Sequence, residues 1–129
     1  MIVVDSSVWI DFFRGSATRE TAVLRSLIGR GVVLVGDLIL AEVLQGFPDE
    51  RQAEAGRRTL ELSPVEPMVG RDLAVAAARN YRSLRAAGVT VRRTIDLLIG
   101  TFCLERGHAL LHHDRDFEPM AARLGLQVV

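Results

Sequence analysis

The sequence predicts an α/β domain built on a central, mostly parallel sheet of about four or five strands with helices on both faces. Three observations carry that expectation. Short apolar runs at residues 1–4, 32–35 and 108–111 read as buried strands. Stretches with apolar residues at helical spacing separate them. Strands joined through helices favour parallel pairing. A chain of 129 residues fits one domain with a real core, so residues 1–129 are expected to form a single unit.

Taken in order, the first strand ends in Asp5, and Ser6-Ser7 follow ahead of a helix over residues 7–14. Val8, Trp9, Phe12 and Phe13 lie at helical spacing there, and Gly15-Ser16 stop it. A second helix covers about residues 18–28, with Ala22, Val23, Leu24, Leu27 and Ile28 as its apolar stripe. The strand at 32–35 is broken by Gly36-Asp37. Asp37 is placed to cap a helix over 38–45 that Gly46 and Pro48 terminate. That helix is apolar nearly all round and is expected to be buried. Residues 49–62 form a polar amphipathic helix, and 63–68 a short, Pro-interrupted edge strand. A long helix at 69–87 turns Leu73, Val75, Ala76, Ala77, Tyr81 and Leu84 mostly inward, and Gly88 closes it. After a loop at 89–93, Thr94 is placed to cap a helix over 95–105 whose stripe is Ile95, Leu98, Ile99, Phe102 and Cys103. Gly107 leads into the strand at 108–111, then His112-His113-Asp114-Arg115-Asp116, a last helix at 117–124 and a terminal strand at 126–129.

Composition narrows the function classes. Hydrophobic residues make up 49% and charged residues 25%, an ordinary globular balance. No run suits a membrane span, and no basic leader precedes the first strand, so a cytoplasmic protein is expected. Sixteen basic residues balance sixteen acidic ones, so any attraction to nucleic acid has to be local. All sixteen basic residues are Arg, which excludes mechanisms that need a catalytic or phosphate-binding Lys. The single Cys103 has no partner for a disulfide or a metal site and reads as a small core residue.

Carboxylates stand where a core would prefer something else. Asp5 ends a strand, where it can cap the next helix or serve chemistry equally well. Glu42 lies mid-helix with little polar surface to receive it. Asp96 suits the positive end of its helix, yet Ile99, Gly100 and Cys103 follow at helical spacing, so it points inward. Asp114 follows a strand as Asp5 does, while Asp116 is most simply the cap of the last helix. Four carboxylates converging in one cleft would repel by several kcal/mol without a cation among them. The all-oxygen donor set favours Mg2+ or Mn2+ over zinc. His112 and His113 read as rim residues. Such a site suits phosphate chemistry, and no Walker-type loop is present to make it a nucleotide hydrolase.

The segments Ile2-Val3-Val4-Asp5-Ser6-Ser7-Val8-Trp9-Ile10, Glu42 in its helix, Thr94-Ile95-Asp96-Leu97-Leu98-Ile99, and Leu111-His112-His113-Asp114-Arg115-Asp116-Phe117 resemble the PIN-domain ribonucleases, specifically the VapC-type toxins. The resemblance covers the whole chain and rests on the order and spacing of these segments together. It implies a PIN-like three-layer α/β sandwich that cuts single-stranded RNA with Mg2+ or Mn2+. Asp5, Glu42, Asp96 and Asp114 match the acidic quartet, with Asp116 as an additional acid. The implied mechanism has Asp5, Asp96 and Asp114 holding one ion, Glu42 and Asp116 a second ion or its water, and a metal-activated water attacking the phosphodiester. Ser6 and Ser7, beside the first acid, and Arg92, Arg93 and Arg115, beside the other ligands, are candidate RNA-binding residues. Gly100 departs from the Ala common in that helix. The resemblance further implies a homodimer, a VapB-type antitoxin and contact with DNA only through that antitoxin. A catalytically silent PIN-like module binding RNA or protein is the alternative. A phospho-acceptor domain is disfavoured because it normally needs a Lys.

Overall fold

In the computed structural model, which describes residues 1–129, β1 (Ile2–Val4) runs through the middle of the sheet. It pairs in parallel with β2 (Val33–Gly36) through Ile2 with Val33 and Val3 with Leu34, and with β4 (Ala109–Leu111) through Val4 with Leu111. β3 (Val65–Glu66) adds the outer edge beside β2, giving the order β3-β2-β1-β4. Val3 and Val4 point to opposite faces of a strand, and both are fully buried, so both faces of the sheet are covered. This is the expected α/β sandwich with four parallel strands.

Seven helices supply the cover: α1 (Ser6–Phe13), α2 (Arg19–Leu27), α3 (Asp37–Leu44), α4 (Glu50–Leu60), α5 (Arg71–Ala86), α6 (Thr94–Arg106) and α7 (Glu118–Leu124). A 3-10 turn, Arg115–Phe117, leads into the last. α1 packs against α2 and α3, and α3 against α4, while α5 packs against α6 and α7. Trp9, Phe102 and Phe117 are the largest fully buried side chains. No helix is long and apolar enough to cross a membrane.

The topology locates the functional end. From β1 the chain builds outward to β2 and β3, then returns to lay β4 on the other side of β1. In open parallel sheets such a reversal leaves a crevice beyond the carboxyl ends of the two strands. Asp5 and the segment after Leu111 border that crevice, held together by the Asp5 N–H donating to the Leu111 carbonyl at 2.9 Å.

Several local expectations are corrected. α3 is only half covered: Ile39 and Val43 are buried, while Leu38, Leu40, Glu42 and Leu44 are intermediate. Leu38, Leu40 and Leu44 pack against the core from its rim without being enclosed by it. Asp37 does not cap α3. Gly36 holds the cap position, and the Asp37 carboxylate accepts from the Met68 N–H at 3.0 Å. Thr94 is likewise the first residue of α6, with Arg93 at the cap position in extended geometry and no side-chain cap bond. Asp114 rather than Asp116 caps the 3-10 turn, accepting from the Asp116 N–H. Val75 on α5 and Ala22 on α2 face solvent, because each lies off the buried arc of its helix. The buried arc of α6 is wider than its stripe, adding Leu97, Gly100 and Thr101, because α5, β4 and the 3-10 turn all pack around it. The terminal strand reduces to one bridge between Leu110 and Val128.

Gly100 has a packing reason. A Cβ there would sit 2.4 Å from Met120 Cε and 2.6 Å from its Sδ, so the thioether occupies the space an Ala would take. Met120 is flexible enough to yield. Gly100→Ala is therefore expected to cost about 1 kcal/mol, and Gly100→Ala with Met120→Val less than the sum of the two changes. A urea-denaturation double-mutant cycle checks this, and strict additivity would show that the two do not share that space.

Candidate active site

Four segments bring the acids to one end of the sheet: the β1–α1 junction, α3, the start of α6 and the turn after β4. β1 passes into α1 with no intervening loop, so Asp5 is both the strand's last extended residue and the helix cap, with φ −65° and ψ 154°. Its Oδ2 accepts from the Ser7 N–H at 3.1 Å and from the Ser7 hydroxyl at 2.6 Å. Its Oδ1 is buried and has no hydrogen-bond partner. The capping and chemical readings of Asp5 are thus divided between its two oxygens. Burial raises the Asp5 pKa against the pull of the Ser7 hydrogen bonds, and the Asp114 charge adds to the rise.

Glu42 reaches the same region from α3. The Ser6 hydroxyl donates to its Oε1 at 3.1 Å. Its pKa is raised by partial burial, with the Asp5 charge contributing. Both serine hydroxyls therefore donate to carboxylates, which places Ser6 and Ser7 as supports for the acids. Ser7 Oγ also accepts from the His113 N–H at 3.2 Å, tying the segment after β4 to α1.

Asp96 stands in the first turn of α6 and is 2% exposed, inward as its spacing predicts. Its pKa is pushed up to about 6, chiefly by burial and further by the charges of Asp5 and Asp114, with Arg93 opposing. Asp96, Asp114 and Asp116 place carboxylate oxygens within 4.8 Å of one another. Asp5 and Glu42 lie outside that trio but share its field. Asp116 therefore groups with Asp96 and Asp114, whereas the expected mechanism pairs it with Glu42.

A cation fits this donor set. Asp5, Glu42 and Asp96 all have carboxyls that burial and mutual repulsion hold above their usual range. Asp5 Oδ1 is a buried oxygen with nothing to accept from. A buried polar atom left unpaired costs about 1–3 kcal/mol, which an oxygen-seeking divalent cation would recover.

Sequence reasoning missed three features. Arg93 bridges two of the acids, its Nε donating to Asp96 Oδ2 at 3.0 Å and a terminal guanidinium nitrogen to Asp114 Oδ2 at 3.1 Å. His113 Nδ1 lies 3.1 Å from Asp11 Oδ2, and that bond raises the His113 pKa. His112 turns its Nδ1 to the Asp114 N–H at 3.2 Å and its ring toward Phe117, with centroids 5.1 Å apart. Only the helical spacing of Arg93 and Asp96, three residues apart, could have hinted at the first. The His113–Asp11 contact joins the segment after β4 to α1, and the His112 contacts stay within that segment. Arg92 and Arg115, both exposed, line a cleft of about 780 Å³ together with His112, His113, Asp114 and Asp116. Glu20 and Glu118 complete its polar lining, so the two arginines stand among four carboxylates. A separate cavity of about 650 Å³ near the start of α5 lacks such convergence, and its Asp72 pairs with the adjacent Arg71 at 2.7 Å.

Residues 2–122 match the PIN domain family. The chain is 32% identical to ribonuclease VapC11 of Mycobacterium tuberculosis, over 98% of this chain and 96% of the relative. Among solved structures, VapBC2 from Rickettsia felis bound to a DNA fragment from its promoter superposes with a TM-score of 0.79 at 14% identity, covering 100% of this chain and 98% of that one. FitAcB from Neisseria gonorrhoeae gives a TM-score of 0.76 at 18% identity, covering 99% and 96% respectively. At such identities the structural matches speak for the fold.

Proposed function

The chain belongs to the PIN domain family, within its VapC ribonuclease branch, and from that premise we propose that it is a Mg2+- or Mn2+-dependent endoribonuclease, the toxin of a toxin–antitoxin pair. The observation that carries the reading is the set of acids at the β1/β4 crevice, with the Asp5 Oδ1 atom buried and unpartnered.

Asp5, Asp96 and Asp114 would hold the ion, with Glu42 and Asp116 completing the acidic shell. When bound, the ion neutralises phosphate charge and activates water for hydrolysis of the phosphodiester bond. The chain's own residues prepare that site. Ser7 fixes the rotamer of Asp5 and leaves Oδ1 free, Ser6 steadies Glu42, and α6 presents Asp96 from its positive end. Arg92 and Arg115 stand exposed along the adjoining cleft and supply its positive charge toward a phosphate backbone, among the carboxylates of Glu20, Asp114, Asp116 and Glu118.

In this reading residues 1–129 act as one PIN domain in the cytoplasm. A VapB-type antitoxin inhibits the chain, which pairs with a second copy of itself and meets DNA only through the antitoxin. The VapBC2 structure from Rickettsia felis, bound to a DNA fragment from its promoter, supports by analogy an assembly of this chain with an antitoxin on DNA. Purified protein is expected to cut single-stranded RNA with Mg2+ or Mn2+, to stop in EDTA, and to be silenced by its cognate antitoxin. Cutting that persists at full rate in EDTA would overturn the metal-dependent reading.

A further inference from the structure

We propose that Arg93 is a resident counter-cation: without metal its guanidinium takes the divalent ion's place between Asp96 and Asp114, and it must leave these carboxylates when the ion binds. The inference rests on the metal-dependent reading above and concerns how the same site is held before loading.

Four observations support it. Arg93 uses two different nitrogens on two different acids, at 3.0 Å from Asp96 and 3.1 Å from Asp114, so one planar fork spans the pair. The two acids it spans belong to the trio whose oxygens lie within 4.8 Å of one another. Its side chain is 54% exposed, while those of Asp96 and Asp114 are 3% and 24% exposed, so the head group comes from the solvent side and can return there. It is also an incomplete substitute, because Asp5 Oδ1 stays unpartnered while Arg93 is in place. A guanidinium is flat and gives hydrogen bonds only in its own plane, whereas a divalent ion accepts oxygens from several directions.

The two possible roles of Arg93 have opposite signs. A side chain that orients ligands for the ion weakens ion binding when removed. One that occupies the ion's place strengthens it.

The test is calorimetric titration of Mn2+ into the full-length chain without RNA, for the native protein, Arg93→Gln and Arg93→Lys, with metal-free melting of each in EDTA at pH 7.5. Arg93→Gln is expected to bind Mn2+ roughly ten-fold tighter, equivalent to about 1.4 kcal/mol. It is also expected to melt lower without metal, since Asp96 and Asp114 then repel unscreened. Arg93→Lys keeps the charge without the fork and is expected to fall between. Unchanged or weaker Mn2+ binding by Arg93→Gln, or an unchanged metal-free melt, overturns the inference while leaving the metal site standing. No Mn2+ binding by either the native chain or Arg93→Gln would overturn both the inference and the metal reading, so the two failures are separable.

Discussion

Asp96→Asn is expected to abolish RNA cleavage and, without metal, to make the protein more stable. The amide keeps the size and shape of the side chain but removes the negative charge that would hold an ion. Metal assistance contributes several kcal/mol of transition-state stabilisation, so losing a ligand is expected to slow cleavage by roughly a thousandfold or more. The effect on stability has the opposite sign. Asp96 is buried, and its carboxyl is pushed up to about 6, so in neutral solution the folded chain carries an anion its surroundings disfavour. A rise from 3.8 to about 6 corresponds to at most about 3 kcal/mol of destabilisation above both values. The opposing pull of Arg93 is already contained in that shift, and screening by solvent at the mouth of the site reduces the gain to about 1–2 kcal/mol. Asp5→Asn is expected to behave alike in both respects, since burial also raises that carboxyl. The check is a cleavage time course with Mg2+ beside a urea denaturation curve in EDTA. Undiminished cutting by either variant would remove these acids from the mechanism, and a destabilised Asp96→Asn would mean that its charge is already compensated.

A second large effect is an inverted response to acid. Most proteins lose stability on mild acidification because paired carboxylates must be protonated. Here Asp5, Glu42 and Asp96 all have folded-state pKa values above their ordinary ones. Their protonated forms are favoured by folding, so the stability they contribute is fully present below the unfolded pKa and is lost as pH rises through the folded one. For Asp96 that window runs from 3.8 to about 6. Lowering pH from about 7.5 to 5 is therefore expected to stabilise the metal-free protein, by about 1 kcal/mol from Asp96 alone. Saturating Mg2+ should cancel the trend, because the ion favours the ionised carboxylates, and ion binding should release protons and weaken below about pH 6. Melting curves across pH, with EDTA and with Mg2+, measure both arms. A metal-free melting temperature that falls steadily from pH 7.5 to 5 would contradict the electrostatic account of the site.

Much of the architecture was legible in the chain. The strand and helix periodicities locate β1, β2, β4 and all seven helices to within a few residues, and the β3 segment was readable as a weak edge. Cap assignments at Asp37, Thr94 and Asp116 were less legible, because several polar residues near a helix start can serve and tertiary contacts choose among them. Asp37 was diverted to the Met68 backbone, and Asp114 to the 3-10 turn. The half exposure of α3 was hidden for another reason: periodicity reports which residues could be buried, and what lies against them is a fact about other elements.

By itself the sequence determined the α/β class, the parallel sheet and the candidacy of Asp5, Glu42, Asp96 and Asp114, because residue type and spacing act locally and carboxylates at strand ends or in apolar helices carry their own energetic signal. Only the tertiary structure decided that Asp5 divides its oxygens between a helix cap and an empty-handed acceptor, that Asp116 groups with Asp96 and Asp114, and that Arg93 bridges two acids. The last two depend on distances of 3 to 5 Å that join Asp96 at the start of α6 to Asp114 and Asp116 after β4, about twenty positions further along the chain. Such distances exist only once β4 has crossed to the far side of β1 and closed the crevice.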